Sequence, residues 1–293
     1  MSEANTVIPL REHQEPDTRE PRRFKVFTAR QLDKIEQLQR LDEDARFAMR
    51  VVANVLPFRV NEYVIEELID WDKVPDDPIY QLTFPQKGML APEHFDKVAE
   101  AMRGGDKAEI DAAVAEVREA LNPHPAGQME HNIPEVDGEK VEGIQHKYNE
   151  TVLFFPSQGQ VCHSYCTFCF RWAQFIGDND LKIATKEAGQ LKRHVQAHPE
   201  ITDILITGGD PLVLKTRNLR AHIEPLLELE QIRTIRIGSK ALTFWPQRVI
   251  SDKDADDLLD LFREVQAAGK HLALMAHYNH WRELEPAIAR EAI

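Results

Sequence analysis

Cys162, Cys166 and Cys169 are all the cysteines the chain has, and they fall within one stretch, V-C-H-S-Y-C-T-F-C-F-R, with the spacing C-x3-C-x2-C. Three thiolates from one short loop make an incomplete ligand set. A 4Fe–4S cluster normally takes four cysteines; held by three, it leaves one iron open to a substrate or cofactor. Two other readings use the same residues. With His163 or a distant histidine the triplet completes a Cys3His zinc site, although zinc sites are usually built from two separated pairs. Inert buried thiols are the third, since free cysteine packs well. The tight spacing favours iron–sulfur.

Other residues with chemistry lie in the same half. Gly208-Gly209-Asp210-Pro211 follows an apolar run and, alone, reads as a turn. His277 and His280 also follow an apolar run. Their spacing suits an edge or helix-start pair, and packing or substrate contact is a better reading than a separate metal.

The elements that position these residues follow from pattern. At 293 residues, the chain suggests two domains at about 150 residues each. Residues 1–23, with three prolines and many charges, read as a mobile arm. Residues 24–121 read as a helical region. A capping box, Thr28 with Gln31, opens a helix to Leu41. A second carries Val51, Val52 and Val55 on one face, and Pro57 ends it. Further helices are expected over 61–71, 92–103 and 107–121, with a proline-rich passage at 75–85. Residues 122–150 read as a loop-rich bridge.

From Thr151 a βα rhythm begins: strands at Val152–Phe155, Asp203–Thr207, Thr234–Ile237 and His271–Met275. Helices at 184–198, 217–229 and 252–268 separate them. Alternation implies parallel strands, in an α/β barrel or a doubly wound sheet. Every chemical-looking segment sits just after a strand, where such folds bind ligands. Four βα units are too few to close a barrel. Residues 151–293 are therefore expected to be a partial (β/α) barrel, the front part of a longer protein.

Composition excludes several classes. A net charge of −13 speaks against a nucleic-acid binder, because phosphate contacts need clustered Lys and Arg. No apolar run is long enough for a membrane span, and the N-terminus has no basic region followed by an apolar core. A clustered cysteine triplet suits a reducing, cytoplasmic setting.

The triplet, with aromatic Phe168 before its third cysteine, resembles the signature of the radical S-adenosylmethionine (radical SAM) superfamily. The order of further segments narrows the resemblance to its lysine 2,3-aminomutase branch, over about residues 122–282. His146-Lys147-Tyr148 matches a stretch before the first strand, and Arg171 follows the cysteines. Thr207-Gly208-Gly209-Asp210, Gly238-Ser239-Lys240 with Pro246-Gln247-Arg248, and His277-Tyr278-Asn279-His280 match later turns.

The resemblance implies a radical 1,2-amino shift on an amino acid. The open iron would chelate S-adenosylmethionine, and a reduced cluster would cleave it to a 5′-deoxyadenosyl radical. It also implies pyridoxal phosphate as a second cofactor and an electron donor such as a flavodoxin or ferredoxin. Cys162, Cys166 and Cys169 would ligate the cluster. Gly208, Gly209 and Asp210 would approach the methionine end of the cofactor, and Phe168 would pack on its adenine or shield the cluster. Gln247 and Arg248 would face the cofactor, a structural salt bridge being an equal reading for Arg248. Lys147 and Tyr148 match positions that grip the phosphate, and Arg171 one that faces the substrate carboxylate. Thr151 stands where the family has a second phosphate-side arginine. The lysine and aspartates that the family uses for its Schiff base and far amine lie beyond the fourth strand, outside this sequence. Two alternatives stay open: a radical SAM enzyme without pyridoxal phosphate, and a non-catalytic protein with structural zinc or iron–sulfur.

Overall fold

The computed structural model describes residues 21–122, 127, 130–136, 138–177, 183–185 and 188–293. Most of the expected arm over 1–23, and part of the bridge at 122–150, lie outside these residues.

The N-terminal half begins with β1 (Val26–Thr28). The Thr28–Gln31 capping box forms, but it opens a short 3-10 turn over Ala29–Lys34 rather than a helix to Leu41. Ile35 then adopts an extended conformation and buries its side chain, which separates that turn from a second at Glu36–Arg40. α1 (Glu43–Val55) follows, capped by Asp42, whose carboxylate accepts from the Ala45 amide. β2 (Arg59–Asn61) pairs antiparallel with β1. The helix expected over 61–71 is shorter, a π-helical turn at Val64–Leu68. Within the proline-rich passage stands α2 (Pro78–Thr83), with Asp77 as N-cap and Pro78 in the first turn.

α3 (Pro92–Gly104) and α4 (Lys107–Ala120) match expectation. Val51, Val52 and Val55 of α1 bury against Phe95, Val98, Val114 and Val117 of these two helices. A second core joins Val60, Tyr63, Leu68, Tyr80 and Phe84 to Phe244 and Trp245 from the far half of the chain.

The bridge is not all loop. β3 (Glu135–Val136) and β4 (Glu139–Lys140) form a small hairpin. β5 (Ile144–Tyr148) runs antiparallel to β6 (Thr151–Phe154) and adds an edge to the main sheet. The chain then alternates through α5 (Ala188–Ala197), β7 (Asp203–Ile206), α6 (Thr216–Leu227) and β8 (Thr234–Ser239). Two short helices follow, α7 (Ala241–Phe244) and α8 (Gln247–Ile250). Then come α9 (Ala255–Ala267), β9 (His271–Ala276) and α10 (Ala287–Ala292).

The sheet order is β5-β6-β7-β8-β9, with β6 to β9 parallel. Val152, Phe154, Ile204, Ile206, Ile235 and Ile237 alternate onto one face, where Leu191, Leu219, Ile223, Leu258 and Leu261 of α5, α6 and α9 cover them. Each such side chain stabilises the fold by about 1.5–3 kcal/mol on burial. The opposite face carries half-buried Leu153, Leu205 and Gly238. Among the described residues the sheet stays open, with β9 paired on one side only. None of the described helices is long and apolar enough to cross a membrane.

Candidate active site

The cysteine loop leaves the carboxyl end of β6 and is held from both sides. From the N-terminal half, the Arg59 carbonyl of β2 accepts from the Tyr165 amide at 2.8 Å, and the Leu82 carbonyl of α2 accepts from the Thr167 amide at 2.8 Å. Asn61, fully buried, donates its amide N–H to Ser164 Oγ at 3.0 Å and its side-chain N–H to the Phe244 carbonyl at 2.7 Å.

On the other side, the turn after β7 donates Gly209 N–H to the Gly159 carbonyl at 3.1 Å and Asp210 N–H to the Val161 carbonyl at 2.9 Å. The two glycines are required by this contact. A Cβ on Gly209 would stand 2.4 Å from the Val161 amide nitrogen, and Gly208, at φ 131°, faces Gln160. The close approach here is made by the cysteine loop itself.

The three thiols are unpaired and half-buried. Burial pushes each of them up, Cys166 to about 12, and the nearby Asp210 carboxylate adds to the rise at Cys162. A separate cation opposes this at each thiol: Arg59 at Cys162, Lys240 at Cys166 and Arg171 at Cys169. Among the described residues, Arg59 Nε and Arg171 Nη1 are buried without an acceptor. Burying a guanidinium nitrogen unpaired is costly, and both cations favour negative charge on the nearby thiols. Among the described residues, no group of three or more His, Cys, Asp or Glu side chains is already arranged to hold a metal ion. Because metal ligands release protons and assemble on binding, the donor set fits a metal that completes the geometry as it enters.

Asp210, expected at the cofactor, is 2% exposed and fully engaged within the protein. Its Oδ1 accepts from Ser239 Oγ at 2.7 Å and the Leu212 amide at 3.0 Å; its Oδ2 accepts from the Lys240 amide at 2.9 Å. Burial would raise its pKa, but His163, Ser239 and the Lys240 amide together hold it below the usual carboxylate value. Arg248 is likewise occupied. It donates to the Leu212 and Leu214 carbonyls at 2.9 and 3.2 Å and to Thr216 Oγ1 at 2.9 Å, and pairs with Asp254 at 3.2 Å. Of the two readings for Arg248, the geometry matches the salt bridge. Both residues therefore position the turn after β7.

Gln247 is buried, and its Oε1 has no hydrogen-bond partner among the described residues. Phe168 is 56% exposed and sets its ring edge-on to His277 at 6.1 Å. It lines a cavity of about 260 Å³ with Cys166, Cys169, Trp172, Val52 of α1, and Leu56 and Phe58 just after that helix. Arg171 places its guanidinium 4.6 Å from the centre of the Phe155 ring.

Lys147 and Tyr148 are not brought to this group. Tyr148 pairs with Thr151 at the start of β6, whereas the cysteine loop leaves from its end. Three strand steps of about 3.3 Å each separate the two ends. Both residues are exposed, Lys147 Nζ standing 5.7 Å from the centre of the Tyr148 ring.

Three residues that pack around this group carried no site expectation: Arg59, Asn61 and Glu283. His163, the candidate fourth ligand of the zinc reading, stands 3.5 Å from Asp210. Glu283 is fully buried against Lys240. Arg59 and Asn61 lie in an ordinary F-R-V-N stretch with no local signal.

No family model matches the chain. It is 34% identical over 87% of its length to a protein of Aquifex aeolicus provisionally named L-lysine 2,3-aminomutase, covering 57% of that protein. It is 28% identical over 56% of its length to the L-lysine 2,3-aminomutase of Acetoanaerobium sticklandii, covering 37% of it. Against the L-lysine 2,3-aminomutase of Bacillus subtilis it is 26% identical over 76% of its length, covering 40%. The chain thus spans about half, or less, of the length of the curated relatives it matches.

Proposed function

We propose, from the premise that this chain belongs to the lysine 2,3-aminomutase-like branch of the radical SAM superfamily, that it forms the cluster-binding part of a radical isomerase acting on an amino acid. The reaction is a 1,2-amino shift. One observation carries the reading: three thiols on one loop stand beside two buried guanidinium donors that have no acceptor among the described residues.

Cys162, Cys166 and Cys169 would hold a 4Fe–4S cluster by three thiolates, a ligand set that would leave room at the cluster for S-adenosylmethionine. When bound, this pair of cofactors supplies one-electron cleavage of a carbon–sulfur bond and hydrogen-atom abstraction from the substrate. The chain's own residues do the rest. Arg59 Nε offers a hydrogen bond to the thiolate side of the site. Arg171, backed by Phe155, offers its planar fork to a carboxylate. Gln247 Oε1 accepts from an ammonium group, and exposed Phe168 offers a face to a base. Asp210 and Arg248 hold the turn that closes the site against water. The electron comes from a low-potential protein donor of the flavodoxin or ferredoxin class.

The test is low-temperature electron paramagnetic resonance on anaerobically reconstituted, dithionite-reduced protein. A 4Fe–4S signal that changes on adding S-adenosylmethionine, and that is lost in Cys166→Ser, is the expected outcome. Reproducible zinc in place of iron would replace this reading with a structural metal.

A second reading, a radical reaction without pyridoxal phosphate, is favoured by Lys147 and Tyr148. These two lie exposed at the far end of β6 from the thiols, so they do not fit a phosphate grip in this site. The unsubstituted protein should then show no pyridoxal phosphate absorbance after reconstitution; binding that is lost in Lys147→Ala restores the amino-carrier role.

A further inference from the structure

Lys240 is an unusual cation. It is 8% exposed, and its partner Glu283 is fully buried. Lys240 Nζ binds the Glu283 carboxylate and also donates to Thr243 Oγ1 and the His277 carbonyl, each at 3.2 Å. Glu283 Oε1 accepts from the Asn279 and His280 amides, each at 2.9 Å. A buried ion pair of this kind is weak evidence for stability, because desolvation offsets the attraction.

Its position is more telling. Lys240 Nζ stands 4.1 Å from the centre of the Phe244 ring, and Cys166 packs against the core that contains Phe244. Phe168, two residues on, touches His277, whose carbonyl Lys240 binds. The pair therefore lies directly behind the Cys166–Phe168 part of the loop. Arg59 and Arg171 also attend the thiols. Among the described residues, Lys240 is the one of these three cations whose charge is offset by a carboxylate.

We propose that Lys240 and Glu283 are positioning residues that set the reduction potential of the cluster, with opposite signs; this rests on the iron–sulfur reading above. Reduction moves one electron from a low-potential donor such as dithionite onto the cluster, with no bond made or broken, and adds one negative charge beside Cys166. The Lys240 ammonium stabilises that charge and the Glu283 carboxylate opposes it. Low local dielectric makes both effects larger than they would be in water.

The experiment is a potentiometric titration of the reconstituted protein, read by the amplitude of the reduced-cluster resonance. Glu283→Gln keeps an amide oxygen for the Asn279 and His280 N–H groups but removes the charge, so the midpoint moves to a less negative value. Lys240→Met moves it to a more negative value, and the double variant returns close to the starting midpoint. Should Lys240→Met fail to fold, Glu283→Gln alone still decides. Unchanged midpoints in variants with full iron and an unaltered resonance overturn the role of the pair and leave the cluster standing. No iron in the unsubstituted protein overturns both.

Discussion

His163 Nδ1 and Asp210 Oδ2 stand 3.5 Å apart, both nearly sealed from solvent, and join the cysteine loop to the turn after β7. Asp210 also receives hydrogen bonds from Ser239, Lys240 and Leu212, so one carboxylate ties the ends of β6, β7 and β8 together. Asp210→Ala strands these donors and should lower stability by about 3 kcal/mol. Denaturant unfolding measures this. Because the folded state holds the carboxyl below its ordinary value, its contribution is present above the usual carboxylate range. It is lost as pH falls through the folded value, and the variant should lack that acid-side loss.

Gly209→Ala tests the close approach of loop and turn. The added Cβ meets the backbone of Val161 at 2.4 Å, which cannot move aside as a side chain would. The expected cost is about 2–3 kcal/mol, together with reduced iron uptake. Gly189→Ala, on the exposed side of α5 with nothing within 4 Å, serves as control and should change stability by less than about 1 kcal/mol.

Arg248→Lys separates a scaffold arginine from a ligand-binding one. A lysine keeps the charge but not the fork that spans Leu212, Leu214 and Thr216. Thermal stability should fall, by about 2 kcal/mol at the midpoint. S-adenosylmethionine affinity, measured calorimetrically on protein that remains folded, should change little. A large affinity loss at unchanged stability would assign Arg248 to the cofactor.

A pH effect is expected from His194, whose ring is fully buried and bonded to His146 at 3.1 Å. Burial first, then His198 and His146, push it down to about 4. The unfolded chain takes up the proton near pH 6.5, the folded chain only near 4. Stability therefore declines as pH falls across that window, by about 2–3 kcal/mol in all. Unfolding free energies measured from pH 7 to pH 4 should slope less steeply in His194→Gln.

The parts of this molecule legible in its sequence are those whose signal is local. The cysteine spacing, the Gly-Gly-Asp turn and the strands at Asp203, Thr234 and His271 each announce themselves within a few residues. β5 did not, because Ile144 is its only fully buried side chain and its polar remainder reads as loop. α2 was hidden by the prolines around it, although Asp77 followed by Pro78 is a helix-start signature. Arg248 shows a different limit. A guanidinium that binds carbonyls is the same group as one that binds a carboxylate, and only its neighbours decide. Arg59 and Leu82 anchor the cysteine loop through backbone carbonyls, which leave no trace in residue type.

That anchoring also fixes an order of events during synthesis. Asn61 reaches Ser164 across 103 residues and Phe244 across 183, and Thr167 reaches Gln81 across 86. Contacts this distant along the chain form late in folding, because the intervening polypeptide must first be made and closed into a loop. The N-terminal half leaves the ribosome first but completes its core only when Phe244 and Trp245 arrive, and the cysteine loop can be shaped only after the strands behind it exist.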